Sequence, residues 1–392
     1  MTLFPRGPST WWRLAASLQM ARKLNYRLIF ILIVLGGFAA REIALEHLPR
    51  LLRPGARLYA YAANADDGTI SVIDLVKLAT VATIPVGPSP SGLRAHPTRK
   101  EIWGVSSGSG SLFVIDATQS RVAAHVSVGV QPFAVDFTPD GTRAYVAASG
   151  SNTLVAVDCA TAQIVGRART GKKPWVARVT PDGAKVLVPN RDDSTLQIFD
   201  ARSLALLWTI GVARGPEQVV VLPDGSTAFV SAPASSEISV VDLKHPALLA
   251  NLPLDGPASS LTMKPDGGEL YATIPDAHGL EIVDTWKIEV DDTLELGSAP
   301  TESAVTPSGE ALYVSDAAVG RVMPVAIDTR ELSTPIPVGQ RPGACALDPS
   351  GDLLLVANEE SGDVAIIAVR TASLLTLVPV GARPVSLAVK LF

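Results

Sequence analysis

From residue 58 onward, short apolar runs alternate with clusters of turn-forming residues, and four such runs recur in every unit. In one unit they fall at 144–148, 153–157, 163–168 and 175–179. Runs of this length, bounded by Gly, Pro and Asp, predict β-strands. Pro139-Asp140-Gly141, Pro181-Asp182-Gly183, Pro223-Asp224-Gly225 and Pro265-Asp266-Gly267 combine a preset φ, a side chain that bonds nearby backbone, and a residue free to take positive φ. Tight hairpin turns are expected there.

The pattern has a fixed period. Pro97, Pro139, Pro181, Pro223, Pro265, Pro307 and Pro349 stand 42 residues apart. Asp74, Asp116, Asp158, Asp200, Asp242 and Asp284 keep the same step. An aspartate recurring at the end of a strand in unit after unit reads as a turn cap and not as a catalytic acid. Four strands in a unit of this length indicate a propeller blade, since such a unit cannot bury its own apolar face. The first unit opens on its second strand, 58–63, and the chain ends on an unpaired first strand, 385–390. Pairing of the two ends would complete a ring and leave no open sheet edge. The expected fold is an all-β, eight-bladed β-propeller of four-stranded blades closed by its N- and C-terminal strands, occupying 58–392.

Composition narrows the partners. With 47% hydrophobic and 18% charged residues in 392, the chain is a foldable globular one. A net charge of -5 without a basic tract argues against nucleic acid as a partner, because binding there relies on Lys and Arg neutralising phosphates. Cys159 and Cys345 belong to units too far apart around a ring for a disulfide, so two free, buried thiols are expected. There is no Cys-x-x-Cys-His haem site.

Ahead of the repeats, Arg22, Lys23 and Arg27 precede the apolar run 28–38, and Gly36, Gly37, Ala39 and Ala40 follow. That order is the one of a secretory signal. Residues 1–40 read as a cleaved signal peptide or as an uncleaved anchor helix, with Met20 an alternative start, and 41–57 as a linker. Either reading places the body outside the cytoplasm, periplasmic or extracellular, with the membrane touched only through this segment.

The strands carry a resemblance as well. Leu58-Tyr59-Ala60, Ala144-Tyr145-Val146-Ala147, Leu312-Tyr313-Val314-Ser315 and Leu355-Val356-Ala357-Asn358 resemble the Tyr-Val-Thr-Asn strand of the YVTN family of β-propeller repeats. Ser71-Val72-Ile73-Asp74 and Ile84-Pro85-Val86-Gly87 extend the likeness, which runs through 58–392. The resemblance implies a secreted or surface-exposed propeller, usually without known enzymatic activity and regarded as a binding scaffold. Related propellers include secreted lactonases and subunits of periplasmic redox enzymes, but no haem or quinone motif is present to carry over, so no cofactor is expected. The usual member has seven blades, and the eighth unit here departs from that.

Candidate binding residues follow from the repeat. The loops leading into the innermost strands carry Lys172, Lys173, Arg214, Arg341 and Arg383, a basic collar. The neighbouring loops carry Asp66, Asp67, Asp192, Asp193, Glu237, Asp276, Glu359, Glu360 and Asp363, an acidic belt. Such a rim either screens itself or focuses positive potential on an anionic ligand or acidic partner. Three residues before each anchoring proline, where the family prefers a small residue, stand Arg94, Asp136 and Arg178 in succession. They read as a paired network fixing the blades or as a channel site holding a carboxylate or phosphate. Gln218, Ser260 and Glu302 lie two positions earlier, and Phe133 and Trp175 near the mouth.

His47, His96, His125, His245 and His278 do not converge, so neither a zinc site nor a nucleophile–base pair is expected. The sequence points to an exported, non-enzymatic scaffold that binds an envelope or extracellular protein partner, or a small anionic ligand, at its charged loop face. The alternative is a lactonase-like hydrolase or an accessory subunit of a periplasmic redox enzyme, working through Arg94, Asp136, Arg178 and Glu302.

Overall fold

A computed structural model describes residues 57–392. The export segment expected at 1–40 and nearly all of the linker expected at 41–57 lie outside the described residues.

The described chain forms eight four-stranded antiparallel sheets, one for each expected blade. Seven blades are continuous in sequence, the first at 90–127 and the seventh at 342–379. The eighth joins the ends of the repeat region: Pro384–Leu391 pairs with Leu58–Asn64, with Thr69–Asp74 and Ala79–Pro85 outside it. Its ladder aligns Tyr59 with Lys390 and Tyr61 with Ala388, and two backbone bonds between Arg57 and Phe392, 2.7 and 2.9 Å, extend the seam. Closure therefore rests on one long antiparallel pair.

Sequence period and packing period coincide. Tyr61, Trp103, Tyr145, Leu187, Phe229, Tyr271, Tyr313 and Leu355 occupy one position in the second strand of successive blades, and all are buried. Large side chains there fill the seam between neighbouring sheets, where each buried aromatic ring removes a large apolar surface from water. The phenol of Tyr313 also reaches across a seam, donating to the Val369 carbonyl at 3.1 Å.

The repeated aspartates do what turn chemistry requires. Asp158 Oδ1 accepts the backbone N–H groups of Ala160 and Thr161 at 3.0 and 2.9 Å, and Asp284 Oδ1 accepts those of Trp286 and Lys287, both at 2.9 Å. In the Pro-Asp-Gly turns Gly141 takes φ +70°, a left-handed conformation that costs glycine nothing. Asp140 Oδ1 then accepts from Thr138 Oγ1 at 2.6 Å and from the Thr142 N–H at 3.0 Å.

Some strands are shorter than their sequence suggests. The innermost strand expected at 175–179 is reduced to Arg178–Val179. Its neighbour, Lys185–Asn190, contains Pro189, which accepts the Trp175 N–H at 3.0 Å but has no N–H to return. The innermost strands of the fourth and fifth blades are also short, at Val219–Val221 and Ser260–Met263. In the sixth blade the outer strand contracts to Ile336–Pro337, opposite a strand that itself contains Pro324. One thiol departs from expectation too: Cys159 is buried, but Cys345 is half-buried, because it lies on the innermost strand Pro342–Leu347 beside the channel.

Candidate functional site

The innermost strands are tied to one another by side chains, not by a ladder. Starting at the eighth blade, Ser386 Oγ accepts the Leu93 N–H at 3.0 Å, and Ser91 Oγ donates to the Phe133 carbonyl at 3.2 Å. Asp136 Oδ2 accepts the Val179 N–H at 3.0 Å, and Arg178 Nε donates to the Val219 carbonyl at 3.0 Å. Gln218 both donates to the Ser259 carbonyl at 2.9 Å and accepts the Leu261 N–H at 3.1 Å. Ser259 and Thr301 continue the series to Thr301 and Pro342 carbonyls, at 2.6 and 3.2 Å. Each bond satisfies a backbone group that the edge of a sheet would otherwise leave unpaired. Gln218, expected as a ligand contact, is thus one of the clasps.

Within that ring, Arg94, Asp136 and Arg178 come together. Arg94 Nε stands 3.1 Å from Asp136 Oδ1, and Arg178 Nη1 stands 3.4 Å from Asp136 Oδ2. With the Val179 N–H already on it, the Phe137 N–H adds a fourth partner to the same carboxylate, at 3.0 Å. The aspartate is buried, with 7% of its side chain accessible, while the two arginines keep 47% and 33%. Deep placement inside the ring lowers the Arg94 pKa, against the pull of Asp136 and with the push of Arg178. Its high accessibility shows that water still reaches it, and a guanidinium so placed stays charged.

These three residues line a recess of about 490 Å³. Val220 lies on one side of it, and Pro97, Pro139 and Pro181 stand at its rim. The prolines follow the innermost strands, so the recess opens at the end of the channel opposite the loops that carry Lys172, Lys173, Arg214, Arg341 and Arg383. The candidate residues therefore divide between two ends.

At the loop end the charges are paired, not arranged as separate positive and negative rings. Arg383 meets Asp66 at 2.7 Å, Arg341 meets Glu359 and Glu360 at 3.2 and 3.7 Å, and Lys172 meets Asp193 at 3.9 Å. Opposite charges this close cancel most of the field at a distance. Among the described residues, Lys173 and Arg214 form no ion pair. Phe133 and Trp175 stack at 4.4 Å with an interplanar angle of 28°. Arg191 lies over the Trp175 ring at 5.2 Å and pairs with Glu217 at 3.2 Å. Arg191 and Glu217 were not singled out from sequence, since they belong to different blades and meet only across the seam.

Glu302 stands on the sixth blade, across the ring from Asp136. Burial pushes its carboxyl up to about 7, the Ser260 hydroxyl opposes the shift, and Glu359 adds to it. The nearby Cys345 thiol is pushed up to about 12 by burial and by Glu302, and burial does the same to Cys159. A thiol held this high is not a nucleophile at neutral pH. His96 is fully buried; its Nδ1 accepts the Arg99 N–H at 2.9 Å, so Nε2 carries the proton toward the Gly141 carbonyl, also at 2.9 Å. Burial lowers its pKa, which keeps the ring neutral. Among the described residues no cluster of three His, Cys, Asp or Glu is placed to hold a metal ion.

The fold is similar to those of solved propeller proteins. Hydrazine synthase from Kuenenia stuttgartiensis shares 21% identity over 71% of this chain and 95% of its own, with a TM-score of 0.58. The dihydro-heme d1 dehydrogenase NirN, in complex with DHE, shares 14% over 84% of this chain and 74% of its own, at 0.73. Apo AztD from Citrobacter koseri shares 14% over 86% and 98%, at 0.67. At such identities the likeness shows the fold alone. No family model and no curated protein matches the chain.

Proposed function

We propose that this chain is an exported, non-enzymatic scaffold that captures a small anion in the recess between its first and fourth blades. The observation that carries the reading is the pair of guanidiniums held around one buried aspartate at 3.1 and 3.4 Å, on a recess large enough for a ligand. Asp136 is committed to its two arginines and to the Val179 and Phe137 N–H groups. That commitment suits it to holding the arginines in place and leaves it poorly placed to move a proton. Export rests on the signal-like order of 22–40, and the scaffold reading gains support from the likeness of the strands to YVTN-type repeats. A protein with a similar fold, NirN, forms a complex with DHE.

The loop face is the weaker site, because three of its five cations, Lys172, Arg341 and Arg383, are spent on neighbouring carboxylates. An enzymatic reading draws on Glu302, whose pKa near 7 suits proton transfer. It lacks a second group beside it with an activated nucleophile's chemistry, since Cys345 is held protonated. Titrating the full chain with acetate and inorganic phosphate by calorimetry tests the scaffold reading. Binding that falls about tenfold or more in Arg94→Gln is expected, and a chain that binds neither anion overturns it.

A further inference from the structure

We propose that the recess is built for an amphiphilic monoanion: a small carboxylate carrying an apolar body. This rests on the anion-binding reading above and names the class of ligand.

Charge sets the head group. Two guanidiniums less one carboxylate leave a single positive charge in the recess. A monoanion neutralises it, whereas a dianion brings excess negative charge against Asp136, at a cost that grows as water is excluded. Donors set the shape. Arg94 meets Asp136 through Nε, and its terminal nitrogens have no partner among the described residues. Arg178 spends Nε on the Val219 carbonyl and Nη1 on Asp136, which leaves Nη2. Planar forks with free terminal donors match the two oxygens of a carboxylate.

Register sets the body. Arg94, Asp136, Arg178 and Val220 align with Trp103, Tyr145, Leu187 and Phe229 on their second strands, so all four stand at one level of the ring. Charge therefore ends abruptly at the fourth blade, where Val220 replaces it. A ligand with its head between the first and third blades lays the rest of itself on Val220 and the rim prolines Pro139 and Pro181, and the gain follows the apolar area removed from water. A bare inorganic anion would leave most of the 490 Å³ unused.

Calorimetric titration of the full chain with hexanoate, acetate and inorganic phosphate tests this. Hexanoate is expected to bind at least about tenfold more tightly than acetate, from its additional methylenes. Arg94→Gln should weaken hexanoate by about tenfold or more. Val220→Ser adds no charge and should reduce the preference for hexanoate over acetate while leaving acetate binding nearly unchanged, and it keeps the test alive if Arg94→Gln folds poorly. Equal affinities for hexanoate and acetate, both sensitive to Arg94→Gln, would overturn the amphiphile and leave the anion scaffold standing. Phosphate bound more tightly than hexanoate would do the same. Hexanoate binding indifferent to both substitutions overturns this proposal as a site, and failure to bind any of the three removes the scaffold reading with it.

Discussion

Asp136 Oδ2 accepts the Val179 N–H at 3.0 Å across the seam between the second and third blades. The same carboxylate holds Arg94 and Arg178, so one side chain both fastens two blades and positions two cations. Truncating it leaves a buried N–H unsatisfied and two guanidiniums facing each other. Asp136→Ala is expected to cost about 2–4 kcal/mol, below the figure for a fully buried pair because both arginines reach water. Asp136→Asn keeps an oxygen for the Val179 N–H, and its loss should be smaller. Urea denaturation of the three proteins checks the order, and equal losses for Ala and Asn would show that the seam bond contributes nothing.

The capping aspartates give stability a sign with pH. Hydrogen bonds from the turn hold the carboxyls of Asp158, Asp200, Asp242 and Asp284 below their usual value: from Thr161, Ser203, His245 and Lys287 respectively. A carboxyl with a lower pKa when folded contributes stability above the unfolded pKa, about 3.9, and loses that contribution as pH falls through the folded value. Denaturation midpoints should therefore fall steadily from about pH 5 downward. A quadruple variant carrying Ala at these positions should be less stable at pH 6 and show a flatter acid limb, and an unchanged limb would assign acid unfolding to other groups.

How much of this could be read from the chain differs from one feature to the next. The ring was legible because anchoring prolines, capping aspartates and four strand-like runs repeat at one spacing, and each is a local instruction about a turn or a strand. Arg94, Asp136 and Arg178 were legible as outliers at a position where small residues are preferred. The clasp role of Gln218, the pairing of Arg383 with Asp66, and the meeting of Arg191 with Glu217 depend on contacts between blades, which no local pattern encodes. The loss of ladder at 175–177 is intermediate in kind. Pro189 stands in plain view in the sequence, but its effect falls on a neighbouring strand whose register is set by the fold.

Glu302 carries the opposite sign. Its folded pKa, about 7, lies above the ordinary glutamate value, so the folded chain holds a proton that the unfolded chain releases between about pH 4.5 and 7. Stability from this group is present at low pH and is lost as pH rises through 7. Glu302→Gln removes the penalty of charging a carboxyl in the channel. It should raise stability at pH 8 by about 1–3 kcal/mol, discounted for the water in the channel, and change it little at pH 5. Equal effects at both pH values would place the ionised carboxylate in ordinary solvent.

Closure offers the last test, because the eighth blade alone is assembled from two distant parts of the sequence. Pro384–Leu391 supplies its innermost strand, pairing along Leu58–Asn64 and continuing the seam through Arg57 and Phe392. Removing 384–392 strips Leu58–Asn64 of its ladder partner, opens Ser386's bond to the Leu93 N–H, and takes away the strand that packs beside the innermost strand of the seventh blade. In a repeat fold, stability comes largely from interfaces between neighbours, so losing one strand here removes contacts with the blades on both sides. The truncated chain should melt about 10 °C or more below the intact one and over a broader range, as the freed ends fray before the rest. Circular permutation that links 392 to 57 through an added two-residue Asn-Gly turn and opens the chain in the exposed turn at Asp224 keeps every strand and should restore a sharp transition. If the truncated chain melts at the same temperature and with the same width, the ring is not held by this pair.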